Sequence, residues 1–321
     1  MLFIAALLAY AVLLGGPAAR LLTRARWVTR FPQAALRSWH ACALSLLASI
    51  VGFLLLVAHD LWEHLMMWLF SADEPLVHDA YGGSWLVADI PRAALAVLFL
   101  GSVTLAGLTL RSLLSLRRER NKYRLTADAL REHDRIHDSD VRVLKHTDPA
   151  VFCIPGTRNG SRIVVTTAAL DMLSDTELAA ALEHERAHLA YRHHRAFLVA
   201  DVLTAAFGWT GLSRGYAQQV RRLAEMAADD RAAQEHGRRA VASALLEMCA
   251  VGPTATVSGL PAMTGTDPAE RIRRLLRAAP SHAKALAPAL STVVMAVVLA
   301  LPVVLAMTPA ALLAGTAHSG C

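Results

Sequence analysis

Charged side chains disappear from four long stretches of this chain, residues 1–19, 38–59, 93–110 and 285–321. A helix rises ~1.5 Å per residue, so crossing the hydrocarbon core takes roughly 20 apolar residues. Each stretch is near that length or longer. Pro288 and Pro302 interrupt the last one. A transmembrane helix tolerates proline where neighbours satisfy the carbonyl that its missing N–H leaves free. The pattern predicts four transmembrane helices at about 1–19, 38–59, 93–110 and 285–307, with a short tail, 308–321.

Between 111 and 284 the pattern is that of a folded domain. Residues 151–154 and 162–167 are short and rich in β-branched side chains, and the turn-forming run Pro155 to Gly160 separates them, which predicts a β-hairpin. Ser174-Asp175-Thr176-Glu177 is a capping-box pattern and starts a helix that should run to about residue 192. Residues 196–212 are apolar apart from Asp201. They read as a buried helix or one that dips into the membrane interface, because an internal acid and their length disfavour a fifth span. A further helix is expected over 215–236. The predicted fold class is mainly α: four transmembrane helices with an α+β domain over 111–284, between the third and fourth spans.

Composition agrees with a membrane class. The chain is 55% hydrophobic and 18% charged, against about a quarter charged in soluble domains. The net charge of +6 is unevenly placed. Arg20, Arg24, Arg26, Arg30 and Arg37 follow the first span. Residues 60–91 hold Asp60, Glu63, Asp73, Glu74, Asp79 and Asp89 and neither Lys nor Arg. Arg111, Arg117, Arg118, Arg120, Lys122 and Arg124 follow the third span, and Arg271, Arg273, Arg274, Arg277 and Lys284 precede the fourth. By the positive-inside rule, the N-terminus and tail lie outside and 111–284 lies in the cytoplasm, in the inner or plasma membrane. No positive charge precedes the first apolar run, which argues against a signal peptide. No broad basic face suggests direct nucleic-acid binding. Cys42, Cys153, Cys249 and Cys321 form no C-x-x-C pair and read as free thiols.

The chemistry sits in His184-Glu185-Arg186-Ala187-His188, an H-E-x-x-H pattern inside a predicted helix. Residues four apart share a helix face, so both imidazoles reach one ion. Zn²⁺ suits such a site, with three protein ligands and one position open to water. Glu185 is then placed to take a proton from that water. The bland reading is two solvated histidines on a polar helix face. Two residues compete for the third position. His194 has the metzincin histidine spacing, but Tyr191 stands where that spacing has glycine. Glu225 lies on the following helix in Glu225-Met-Ala-Ala-Asp229, where Asp229, one turn on, could accept a hydrogen bond from a ligating histidine.

The H-E-R-A-H-L helix, the E-M-A-A-D-D-R-A segment and the preceding P-G…R-I-V-V-T-T-A-A-L-D-M-L-S-D-T-E-L resemble the BlaR/MecR-type integral-membrane metallopeptidases. They are more distantly similar to HtpX-like membrane peptidases. The resemblance implies a gluzincin-type zinc peptidase domain, with metal ligands His184, His188 and Glu225, Glu185 as base and acid, and Asp229 supporting a ligand. It implies a protein substrate, a winged-helix transcriptional repressor. The β-lactam-sensing members carry a penicillin-binding domain after the last span. No S-x-x-K motif occurs in the tail here, so direct β-lactam binding is not expected. The expected function is a membrane-embedded zinc endopeptidase acting as a regulatory protease. An HtpX-like quality-control protease and a non-enzymatic signalling scaffold are the alternatives. A transporter is disfavoured, since the predicted spans hold no Asp, Glu, Lys or Arg.

Overall fold

A computed structural model describes residues 2–58, 89–128, 139–156, 160–208, 211–250, 267–277 and 286–318. Most of the acidic stretch 60–91, the hairpin turn at 157–159 and the last residues of the tail lie outside them. The chain divides into two compact units. One comprises 1–28, 37–107 and 285–321, the other 29–36 and 108–284.

In the first unit, α1 (Leu2–Leu13) passes through a π-helical turn at Leu14–Ala18 into α2 (Ala19–Arg24). Pro17 lies in that turn, which is where a missing N–H forces the ladder to widen. Helix α3 is Pro32–Val57, α4 is Asp89–Asp128, and α11, the last helix, is Leu286–His318. Among the described residues, four helical segments are long and apolar enough to cross a membrane: Leu2–Arg24, Pro32–Val57, Ile90–Arg118 and Leu290–Thr308. The third is longer than its charge-free stretch and carries Arg92 in its first turn.

Leu7, Leu56 and Ala306 form the small core of this unit. Pro302 leaves the carbonyl of Val298, four residues earlier, without its helical donor. That carbonyl accepts from Tyr10 Oη at 3.0 Å and from Ser45 Oγ at 2.6 Å. The proline is therefore satisfied by two other helices, as the sequence requires of a membrane-buried proline.

The second unit is built on a three-stranded sheet in the order β1-β3-β2: β1 (Val141–Leu144), β2 (Val151–Ile154) and β3 (Arg162–Thr166). The expected hairpin is present, with β2 antiparallel to β3 and Val151 opposite Val165. Strand β1 runs parallel to β3 and was not anticipated: four residues over V-R-V-L offer too little period for a strand to stand out. Alternation puts Val141, Val151, Ile163 and Val165 on one face and Phe152, Ile154 and Val164 on the other. Thr166 ends β3 and caps α5 (Thr167–Met172), its hydroxyl accepting from Ala169 N and Ala150 N.

Helices α6 (Asp175–Ala190), α7 (His193–Phe207), α8 (Gly211–His236), α9 (Arg238–Ala250) and α10 (Pro268–Leu276) complete this unit. The capping box forms as the pattern predicts: Ser174 N donates to Glu177 Oε2 at 2.9 Å, and Glu177 N to Ser174 Oγ at 3.4 Å. Helix α6 stops at Ala190, two residues short of the expectation, because Arg192 turns left-handed at φ 55°. The apolar 196–212 segment belongs largely to α7, with Phe197, Ala200, Val202 and Leu203 buried. Gly237, at φ +84°, closes α8 and lets α9 turn back at once.

Candidate metal centre

Two helices bring the centre together. From Ala180 onward α6 is buried on nearly every side, and Leu223 to Asp229 of α8 are buried without a break. Alanines at 180, 181, 187, 224, 227 and 228 keep both helices thin there, so polar side chains meet across the interface. The i, i+4 spacing gives each helix two groups one turn apart: His184 and His188 on α6, Glu225 and Asp229 on α8.

His184 Nε2 and His188 Nε2 lie 3.1 Å apart. Glu225 reaches both, Oε2 to His184 Nε2 and Oε1 to His188 Nε2, each at 3.5 Å. One donor atom from each of the three residues falls within 4.8 Å of the others. Bonds of ~2.0–2.2 Å to tetrahedral zinc place neighbouring donors about 3.4 Å apart. The observed spacings bracket that value, and two imidazoles with one carboxylate are a donor set zinc accepts. Among the described residues these three form the group that could hold a metal ion. His194, the competing third candidate, is not part of it.

Asp229 stands behind His184, with Oδ1 3.0 Å from Nδ1. Glu185 is 2% exposed, and the Cys153 thiol on β2 donates to its carboxylate. Burial pushes Glu185 up to about 7, partly countered by the charge on His184. Burial also holds His188 down at about 4. For His184 burial opposes the charge, yet its hydrogen bonds to Asp229 and Glu225 prevail and raise it to about 9.

Arg271 belongs to the centre as well, although its place in the sequence is among the basic residues that precede the fourth apolar stretch. It is 1% exposed, and α10 delivers its guanidinium to the back of the centre. Its Nε and Nη2 hold Asp229 at 2.8 and 2.6 Å, and its Nη1 lies 3.0 Å from Glu225 Oε2. This opposes the cost of burial and keeps Glu225 down at about 2 and Asp229 lower still. Arg274 is similarly committed, to Asp230 at 2.5 Å and to Thr29 O at 2.6 Å. A signal did exist. In α10 Arg271 and Leu275 share the buried face, so a charge occupies an apolar position of the repeat.

Among the other polar residues of these helices, Arg221 pairs with Asp201 and lies over Phe197, and Arg222 pairs with Glu270. Tyr191 lies over the Arg231 guanidinium, and Tyr216 is 4% exposed. His193 packs against His188.

A buried His–His–Glu triad with a carboxyl beside it, in a chain bearing four apolar helices, defines a membrane-type metallopeptidase. The model of peptidase family M48 matches residues 117–279, just over half of the chain, and the chain belongs to that family of zinc metallopeptidases. Comparison with curated proteins and with solved structures gave no match.

Proposed function

We propose that this protein is a membrane-embedded zinc endopeptidase with a gluzincin-type centre. The observation that carries this reading is the near-tetrahedral spacing of His184 Nε2, His188 Nε2 and Glu225, with the Glu185 carboxyl buried beside them. His184, His188 and Glu225 would hold the ion. When bound, zinc polarises the scissile carbonyl and makes water nucleophilic near neutral pH. Glu185 takes the proton of the attacking water and returns it to the leaving amine. Asp229 accepts from His184 Nδ1 and fixes the ring that ligates through Nε2. Strand β2 pairs only with β3 among the described residues, which leaves an edge where an extended peptide can add as a strand.

The residues 111–284 form the peptidase domain on the cytoplasmic side, and the BlaR/MecR-like motifs point to a winged-helix repressor as the substrate. The test is Glu185→Gln in the full chain, co-expressed with a candidate repressor encoded beside it. Zinc content should persist while cleavage falls 10²–10⁴-fold, the usual worth of acid–base help. Beside the ion that the triad would hold, the Glu185 carboxyl should titrate below the value burial alone gives it. For the wild type, kcat/KM should therefore rise with pH through a midpoint below about 7. Equal repressor cleavage by both forms, with metal retained, would remove Glu185 from the mechanism.

A further inference from the structure

We infer that His193 is the positioning residue for His188, doing for the second histidine what Asp229 does for the first. The inference rests on the zinc reading above. His188 turns its Nε2 toward His184 and Glu225, at 3.1 and 3.5 Å. Its other nitrogen, Nδ1, meets His193 Nδ1 at 3.0 Å. A nitrogen that binds a cation offers its lone pair, so the proton of His188 stands on Nδ1. Two ring nitrogens at hydrogen-bond distance need one donor and one acceptor. His188 Nδ1–H therefore donates, and His193 Nδ1 accepts.

His193 is built for that task. It is 1% exposed, and its ring packs on His188 at 4.8 Å, on Tyr191 at 5.5 Å and on Phe197 at 6.3 Å between centroids. Accepting at Nδ1 puts its own proton on Nε2, a buried atom that has no hydrogen-bond partner among the described residues. In an unbroken helix, a residue five places after His188 would lie about 140° around the axis, out of reach. The left-handed Arg192 ends α6 and starts α7 at His193, which swings this ring back onto His188. A backbone conformation that is unfavourable for a side-chain-bearing residue is thus kept at the point that creates the contact.

The test uses the full chain in detergent micelles, with zinc affinity measured by chelator competition and the cobalt-substituted spectrum as the second readout. His193→Phe keeps a buried ring and removes the acceptor. It should weaken zinc binding 10–100-fold, the usual effect of losing the partner of a ligating histidine, and shift the cobalt bands. His193→Asn places an amide oxygen near the former Nδ1 and should restore affinity to within about threefold of wild type. Nitrogen-15 NMR of histidine-labelled, zinc-loaded wild type needs no substitution. It should show His188 protonated on Nδ1 and His193 on Nε2. Wild-type affinity in His193→Phe, or a proton on Nδ1 of His193, would overturn the inference while leaving the zinc reading intact. Failure of the wild type to bind zinc would overturn both.

Discussion

At the scale of single residues, the centre is organised by charge balance. Glu225, Asp229, Arg271 and a protonated His184 sum to zero when Glu185 is neutral. Zinc with Glu185 ionised and His184 neutral restores the same zero. Binding therefore exchanges protons for the ion. His184 titrates near 9 and Glu185 near 7, while His188, near 4, is already neutral. At pH 8 zinc uptake should release about one proton, and near pH 6 about two, because Glu185 then also carries one. Calorimetry in buffers of different ionisation enthalpy measures this count, and a pH-independent count would contradict the assignment. Arg271 sets the other half of the balance. Arg271→Ala leaves two buried carboxylates without their cation and should cost about 3–5 kcal/mol, enough to unfold the peptidase unit or strip its metal. Arg271→Lys keeps the charge but loses the fork that grips Asp229 at two points, so its thermal midpoint should fall between those of the wild type and Arg271→Ala.

At the scale of elements, α11 shows how a broken helix is repaired by others. Pro302 releases Val298 O, and Tyr10 from α1 and Ser45 from α3 take it up. Tyr10→Phe with Ser45→Ala should lower stability by about 1–2 kcal/mol, since the bare carbonyl finds no water in lipid. Adding Pro302→Ala returns a helical N–H to that carbonyl and should recover most of the loss. Thermal unfolding of the three forms in detergent compares them, and no recovery in the triple variant would mean the hydroxyls act for another reason. Helices α6 and α8 follow a related rule. Their alanines are what allow two polar faces to approach within hydrogen-bond range, so the chemistry depends on small neighbours as much as on the ligands.

At the scale of the whole molecule, the alternating charge of the segments between apolar stretches predicts one orientation. A reporter active only outside the cytoplasm should give signal when fused after residue 75 or residue 321, and none after residue 130. Signal at 130 would reverse the sidedness. Two of the basic residues behind that reading are spoken for, since Arg271 and Arg274 are spent on Asp229, Asp230 and Glu225. Arg273 and Arg277 remain exposed before the fourth span.

The sequence by itself determined what depends on local period and spacing. Runs without charge give the four apolar helices. The capping box gives the start of α6, and the β-branched pair around Pro155-Gly156 gives the hairpin. Histidines four apart give two imidazoles on one face. Even Glu225 was legible once Asp229 was seen one turn later. The tertiary structure decided what depends on meetings between distant segments. It brought Glu225, rather than His194, within reach of His184 and His188, because α8 packs on α6 through alanines. It brought Arg271, 42 residues from Asp229, to the back of the centre. It also turned His193 onto His188 through one left-handed residue. Apart from the charge at an apolar position of α10, these meetings leave no periodic trace, because a single side chain reaching across an interface obeys the packing of whole helices rather than the pattern of its own.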